Sequence, residues 1–258
     1  MILDKLASTD HEAIRARIFS QFPQDSGIPV KLACCGGGAE SFKRNIQNFS
    51  PDIQISVFDE LECVGTGLNF IESIVNQSAT NSAMGLIVNI GTGISIIKKY
   101  STRIVSRIGG SSIGGGTFSG LARLALYDAG IDPVTIIPAG NPDNVDILVK
   151  DIYPDSAAGL DGNLIAASLG KIKCMSGDTF AADFCAGVAR AVCINAAQLA
   201  YLYARLEGIT HVTFTGGFLE NLQNQREITN SMKYWSLDYG ISSKISNFPA
   251  FVGCLGSL

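Results

Sequence analysis

The stretch from Asn89 to Phe118, NIGTGISIIKKYSTRIVSRIGGSSIGGGTF, decides the fold, because seven glycines interrupt three strand-like runs within it. Runs rich in β-branched residues that are parted by short turns predict an antiparallel meander of three strands. The segment that follows has apolar residues at helical spacing, Phe118, Leu121 and Leu124, and Thr117 stands where a helix N-cap is expected. The stretch therefore predicts one unit of meander, glycine loop and helix.

The two glycine clusters of this stretch indicate phosphate binding. Successive backbone N–H groups of a glycine turn can face one anion, and a helix N-terminus adds its positive end. A single turn such as Gly91–Gly93 is better explained as a plain hairpin, but five more glycines between 109 and 116 favour two turns around a polyphosphate. No Lys completes a P-loop, and a strand follows Gly93 where a dinucleotide fold needs a helix.

Other parts of the chain repeat the order of strand, glycine and helix. VKLACCGGGAE (30–40), IQISVF (53–58) with DELECVGTGLNFIESI (59–74), and THVTFTGGFL (210–219) each predict such a unit, after an N-terminal helix at 11–20. Residues 138–163, rich in Pro, Asn, Asp and Gly, predict an insertion with a short helix in VDILVKDIY (145–153). Residues 178–206 predict a long helix that is apolar on nearly every side. The pattern is that of an α/β protein with several backbone-lined turns around one cleft.

Composition excludes several classes of function. A net charge of -4 and a pI of about 5.2 give no basic field for nucleic acid or an anionic membrane. Seven cysteines without a CxxC pair, and two histidines, predict free thiols in a reducing compartment and no metal site. No run is long enough to span a membrane, and the N-terminus has no apolar signal-peptide core. We expect a cytoplasmic protein with a small-molecule partner.

Five or six collinear segments closely resemble the type II pantothenate kinases of the actin, Hsp70 and sugar kinase superfamily. These segments are VNIGTGISII, RIGGSSIGGGTFSGLARL, CCGGGAESFKRNI, the DEL helix at 59–74, LVKDIY, and FTGGFL with YWS. The resemblance implies an actin-like, ribonuclease H-like ATPase fold with two lobes around a nucleotide cleft. We place the first lobe at 1–85 and the second, with the phosphate loops, a dimerisation helix and the adenosine segment, at 86–258.

The resemblance also implies roles for individual residues. Glu60 corresponds to the catalytic carboxylate, although its position equally suits an acid in a helix first turn, and Ser95 and Arg107 correspond to residues that bind pantothenate. Arg107 alone would be interpreted as an edge-strand arginine that faces water. Adenosine contacts correspond to Gly216 and Gly217, and phosphate contacts correspond to Asn89, Gly91, Thr92, Gly93, Gly114, Gly115, Gly116 and Thr117.

The activity implied is phosphorylation of pantothenate by ATP with Mg²⁺, the first step of coenzyme A biosynthesis, in a homodimer that acetyl-CoA inhibits. The family's first phosphate loop, a DxGGT motif, is absent, so the first lobe is expected to be N-terminally truncated. Three interpretations stay open: a working kinase whose Met1 is an internal start, a non-catalytic relative, and another sugar or acetate kinase-like enzyme. The non-catalytic relative would bind pantothenate, acyl-CoA or, as a heteromer, a complete kinase.

Overall fold

The structure is a computed structural model that describes most of the chain after residue 30. The described residues are 13, 16–17, 20, 31–49, 53–76, 84–100, 105–127, 130–153, 161–172, 180–237 and 239–257. The helix predicted at 11–20 falls mostly outside these ranges.

The strands and helices alternate along most of the chain. The strands are β1 (Lys31–Cys35), β2 (Gln54–Phe58), β3 (Gly85–Ile90), β4 (Ile94–Lys99), β5 (Val105–Ser111), β6 (Ile147–Leu148), β7 (Ile165–Ala167), β8 (His211–Thr215) and β9 (Ser242–Ile245). The α-helices are α1 (Ala39–Phe49), α2 (Glu60–Asn76), α3 (Gly115–Leu126), α4 (Pro133–Ile136), α5 (Val149–Ile152), α6 (Phe180–Leu206), α7 (Leu222–Ser236) and α8 (Val252–Gly256). Short 3₁₀ turns cover Ile137–Ala139, Pro142–Asn144, Gly217–Glu220 and Pro249–Phe251.

The chain divides into two compact units. The first unit comprises Met1–Met84, Lys99–Ser106 and Ala250–Leu258, and the second comprises Gly85–Lys98 and Arg107–Pro249. The lobes predicted at 1–85 and 86–258 stay a prediction, and the units interleave along the chain, because Lys99–Ser106 and Ala250–Leu258 belong to the first unit. The final segment lies there because α8 packs on α2, a contact between residues far apart in the sequence.

The second unit is built on a five-stranded mixed sheet in the order β5-β4-β3-β8-β9. The three strands of the predicted meander are neighbours in this sheet, and β8 runs parallel to both β3 and β9. Side chains of β3 and β4, such as Val88, Ile90 and Ile96, are fully buried in one core with α3, α6 and α7. In the two-stranded antiparallel sheet of β6 and β7, β6 lies in the predicted insertion, 138–163, and β7 directly follows it.

Helix α6 is the core helix of the second unit. Small side chains along it are almost completely buried, and they let α3 and α7 approach its backbone closely: Ala186, Ala189, Ala196, Ala197, Ala200 and Ala204. By length and composition it is the one described helix able to cross a membrane, but 56% of its most apolar window is buried inside the protein. Packing within the unit thus accounts for its apolar character, and a role in a homodimer stays a prediction.

The described part of the first unit contains a parallel pair, β1 and β2, covered by α1. Ile46 of α1 packs on Ile53 and Ile55, and these three residues form a small buried cluster with Phe42 and Leu32 at its margin. The pair is parallel from Lys31 opposite Gln54 to Cys35 opposite Phe58. The carboxyl ends of both strands therefore point the same way, toward Gly36 and Asp59.

Two glycines let α2 and α8 cross with their backbones in contact. A Cβ on Gly67 would overlap the Val252 carbonyl oxygen, and a Cβ on Gly256 would overlap the Cys63 carbonyl oxygen. The carbonyl groups belong to backbone that cannot swing aside as a side chain can. This crossing holds the last described residues of the chain in the first unit.

We expect Gly67→Ala to destabilise the first unit by about 1–3 kcal/mol, the usual cost of overpacking a tight contact. Gly120→Ala is the matched control, because Gly120 also lies inside a helix but has open space around its Cβ position. The control should instead gain about 0.5–1 kcal/mol from the higher helix propensity of Ala. Hydrogen exchange of α2 and β1 amides in both variants measures the difference. Equal exchange in the two variants would mean that the crossing is not tight.

The cysteines are free, as predicted, at the six positions that the structure describes. Burial raises the pKa of the Cys35 thiol to about 12 and that of Cys185 to about 11. These thiols are therefore protonated and unreactive at neutral pH, as core thiols are. Cys174 lies outside the described residues.

Candidate nucleotide site

Two glycine turns leave the second unit's sheet side by side. Strands β3 and β8 are parallel neighbours, with Asn89 opposite Thr215, so that their carboxyl ends lie at the same edge. The Gly91–Gly93 turn follows β3, and Gly216 and Gly217 follow β8. The crevice outside the carboxyl ends of such strands is where open α/β sheets bind ligands.

The N-terminus of α3 is joined directly to the first of these turns. The Gly115 N–H donates to the Gly91 carbonyl (2.9 Å), and the Gly116 N–H donates to the Thr92 carbonyl (2.8 Å). A Cβ on Gly114 would come within 2.7 Å of the Thr92 carbonyl oxygen, and a Cβ on Gly115 within 2.7 Å of the Gly91 oxygen. Close approach between two backbones therefore explains these glycines. Four of the N–H groups predicted to cradle phosphate, those of Gly91, Gly114, Gly115 and Gly116, are thus already paired within the protein.

Thr117 does not occupy the predicted N-cap position. The N-cap of α3 is Gly114, and Thr117 lies three residues inside the helix. Its hydroxyl accepts a hydrogen bond from the Gly114 N–H (3.3 Å) and donates one to the Ser112 carbonyl (3.2 Å). The Thr117 side chain thus ties the glycine loop to the helix that it precedes.

Gly91 and Gly217 differ from the other glycines of these turns. Neither has a left-handed φ, and a Cβ on either would meet no atom within 4 Å. Gly216, by contrast, has φ +108° and packs on the Ile90 carbonyl oxygen and the Asn89 side chain, so the chain path itself requires it. Among the described residues of the second unit, no contact requires glycine at position 91 or 217. A ligand that contacts the backbone there would require glycine at both positions.

Ser95 and Arg107, the residues predicted to bind pantothenate, lie together on neighbouring strands β4 and β5. The Arg107 Nε donates to the Ser95 Oγ at 3.4 Å. Arg107 is exposed, and its Nη2 would lie 2.6 Å from a Cβ on Gly110, so the absence of a side chain at 110 leaves room for the guanidinium group. The arginine keeps most of its donors available for a carboxylate or an amide oxygen.

Glu60 belongs to the first unit, at the first residue of α2. The preceding Asp59 caps this helix, because its Oδ1 accepts from the Leu61 and Glu62 N–H groups at 2.9 and 3.0 Å. The exposed Glu60 carboxylate is aimed at the turn after β1: its Oε2 lies 3.9 Å from the Cβ position of Gly36, whose φ is +97°. Sequence reasoning missed the cap, although an Asp directly before the first helical residue is its usual signal.

Two further residues that sequence reasoning missed support the Gly216–Gly217 turn. Phe218 is buried against Phe118 of α3, and Asn224 of α7, 1% exposed, donates from Nδ2 to the Phe218 carbonyl at 2.9 Å. Phe118 lies 100 residues before Phe218 in the sequence, whereas Asn224 follows it by six. An Asn buried inside a helix is the one local signal, since such a side chain normally has a hydrogen-bond partner.

Comparison with known proteins identifies the family. Residues 5–258 match the Fumble family, that is, nearly the whole chain. The chain belongs to the Fumble family of pantothenate kinases. This confirms the resemblance found in the sequence. The chain is 34% identical over 226 residues to 4'-phosphopantetheine phosphatase of Mus musculus, covering 80% of this chain and 27% of that protein. It is 30% identical over 254 residues to the pantothenate kinase of Schizosaccharomyces pombe, covering 88% and 62%.

The chain thus spans less than two thirds of the length of both relatives. Among solved structures it is similar to the activator of the 2-hydroxyisocaproyl-CoA dehydratase from Clostridium difficile with bound ADPNP. The TM-score is 0.50 with 15% sequence identity, over 95% of this chain and 78% of that one. This likeness confirms the predicted actin-like fold class.

Proposed function

We propose that this chain binds ATP at the glycine turns of its second unit and transfers the γ-phosphate to pantothenate. The observation that carries the proposal is the meeting of three glycine segments at one sheet edge, where a Cβ on Gly91 or Gly217 would have no contact within 4 Å. Kinase activity is the function named for the S. pombe relative, and the solved structure of similar fold was bound to ADPNP. The proposal assigns both the kinase activity and the nucleotide to the glycine turns of this chain.

The proposed reaction needs one proton acceptor and one substrate anchor. By the family resemblance alone, Glu60 is the group that takes the proton from the pantothenate hydroxyl. The hydroxyl oxygen forms a bond to the γ-phosphorus, the bond from that phosphorus to the bridging oxygen breaks, and ADP leaves. Arg107 holds the pantothenate carboxylate or an amide oxygen, and Ser95 steadies the arginine through its 3.4 Å hydrogen bond. Asn89 and the glycine turns line the nucleotide side.

The Mg²⁺ ion that accompanies ATP is assigned no protein ligand. Within the described ranges, no group of three or more His, Cys, Asp and Glu side chains is placed to hold a metal ion. When bound, the ion neutralises phosphate charge, and here it would arrive with the nucleotide. A cytoplasmic location, a homodimer or a heteromer with a complete kinase, and inhibition by acetyl-CoA are further proposals that rest on the family alone.

A second candidate function is ligand binding without turnover. The observation that favours it is that the Gly115 and Gly116 N–H groups are bonded to the neighbouring turn, which leaves fewer donors for the transferring phosphate than the sequence suggests. Such donors supply much of the stabilisation in phosphoryl transfer. Wild-type protein that binds ADP and pantothenate but forms no 4'-phosphopantothenate would establish this second function.

Gly91→Ala and Gly217→Ala test the nucleotide site itself. Because a Cβ meets nothing at either position, both variants should fold with unchanged or slightly raised stability. A nucleotide that contacts the backbone would meet the new methyl group, so we expect ADP affinity to fall about tenfold, or ~1.4 kcal/mol. Calorimetry with ADP measures this, with Gly120→Ala as the control that keeps wild-type affinity. Unchanged affinity in both variants would place the nucleotide elsewhere.

A further inference from the structure

Phe218 connects the two ends of the candidate nucleotide site. It follows Gly217 in the 3₁₀ turn after β8, and its side chain is 9% exposed. Its ring packs edge-to-face on Phe118 of α3, with centroids 5.5 Å apart and an interplanar angle of 65°. The ring also lies beside the first residue of α3, since a Cβ on Gly115 would be 3.4 Å from the Phe218 Cδ2.

The backbone of Phe218 is held by a different helix, α7. The Phe218 carbonyl accepts a hydrogen bond from the buried Asn224 side chain (2.9 Å), which is presented by α7. The adjacent Leu219 N–H donates to the Gly216 carbonyl (3.0 Å), and the Leu219 carbonyl accepts from the Gln225 Nε2 (2.7 Å). The turn is therefore fixed by its own hydrogen bond and by α7, while the Phe218 ring reaches α3.

We propose that Phe218 is a positioning residue that sets the spacing between the Gly216–Gly217 turn and the N-terminus of α3. The inference rests on the proposed function, in which the first of these binds adenosine and the second lies at the phosphates. A nucleotide bridges both, so its affinity depends on their separation. A misplacement of about 1 Å can cost on the order of 10²-fold in such pre-organised sites.

The proposed pantothenate site should depend less on this spacing. The proposed pantothenate residues, Ser95 and Arg107, lie on β4 and β5, and the contacts of Phe218 described above are with α3 and α7. Shortening the Phe218 side chain should therefore weaken nucleotide binding and leave pantothenate binding unchanged. A merely structural residue would weaken both ligands together through loss of folded protein.

The test compares Phe218→Ala and Phe218→Leu with Phe184→Ala, which removes a partly buried ring elsewhere in the second unit, one that stacks on Phe180. Calorimetry with ADP and, separately, with pantothenate is the measurement. We expect ADP affinity to fall about tenfold or more in Phe218→Ala, less in Phe218→Leu, and within about twofold in Phe184→Ala, with pantothenate affinity constant in all three.

Several results would overturn the inference. One is wild-type ADP affinity in folded Phe218→Ala, or in Phe218→Leu if the alanine variant does not fold. Another is an equal loss of ADP affinity in Phe184→Ala, or a parallel loss of pantothenate affinity. Failure of the proposed function gives a different result, which is measured first: the wild-type protein does not bind ADP.

Discussion

Arg190→Met is expected to destabilise the second unit by about 3–5 kcal/mol, the cost of leaving a buried charge without its partner. Arg190, 14% exposed, donates to the Asp143 Oδ1 at 2.8 Å and to the Asp146 Oδ2 at 3.3 Å, and its Nε lies 3.8 Å from the Glu227 Oε2. It thereby joins the inserted segment to α6 and α7. Methionine keeps the aliphatic volume and removes the charge.

Asp146 determines the size of this effect. Its side chain is completely buried, and burial raises its pKa above the ordinary value even though the Leu169 N–H (2.8 Å) and Arg190 act to lower it. A carboxyl group with a raised folded-state pKa binds more protons in the native state, so stability is lost as pH rises from the unfolded pKa through the folded one. Without Arg190 that pKa should rise further, and the variant should regain stability as the solution is acidified.

The unfolding of the second unit can be followed specifically, because Trp235 is the single tryptophan of the sequence and stacks on Tyr201 of α6. Urea titrations monitored by its fluorescence at two pH values give the free energies of unfolding. Arg226→Met, at an exposed position of α7, is the control and should change stability by less than about 0.5 kcal/mol. Adding Asp146→Asn to Arg190→Met should recover part of the loss, because the amide oxygen still accepts from Leu169. A pH-independent loss without recovery would contradict the assignment.

Arg190 also shows where prediction from sequence stops. The meander, the glycine turns and the helix after them were predictable, because β-branched runs and glycine clusters are local signals. The carboxylates bound by Arg190 lie 44 and 47 residues away in the sequence, and no local pattern indicates which acid it meets. Likewise, Gly67 and Gly256 are ordinary glycines until α2 and α8 cross.

The features of the candidate site also divide into those that the sequence predicts and those that depend on tertiary packing. That Gly91 and Gly217 stand at turns follows from the sequence, but that they are open while Gly115 and Gly116 are bonded to the first turn depends on tertiary packing. Thr117 was assigned to the N-cap because its side chain suits that position, whereas the helix begins two residues earlier, with Gly114 as its cap. Residue type predicts the class of turn. The hydrogen-bond partner of each N–H group is known only once the fold is known.

Glu60→Gln is expected to lower the rate of pantothenate-dependent ADP release by about 10²–10⁴-fold, the usual contribution of a general base. Glutamine is nearly isosteric and cannot accept the proton, while the helix start stays fixed by the Asp59 cap. The affinities for ADP and pantothenate should be unchanged, because the proposal assigns Glu60 to the chemical step alone. Single-turnover formation of 4'-phosphopantothenate, followed by mass spectrometry, is the measurement.

Glu62→Gln is the matched control, since Glu62 is also exposed and also lies in the first turn of α2. If the two acids only stabilise the helix start, both variants lose a few tenths of a kcal/mol in stability and neither loses activity. If Glu60 is the base, its variant alone loses the rate while its stability matches that of Glu62→Gln. Full activity in Glu60→Gln would assign the proton to another group, and equal losses in both variants would trace the effect to the helix and not to the carboxylate.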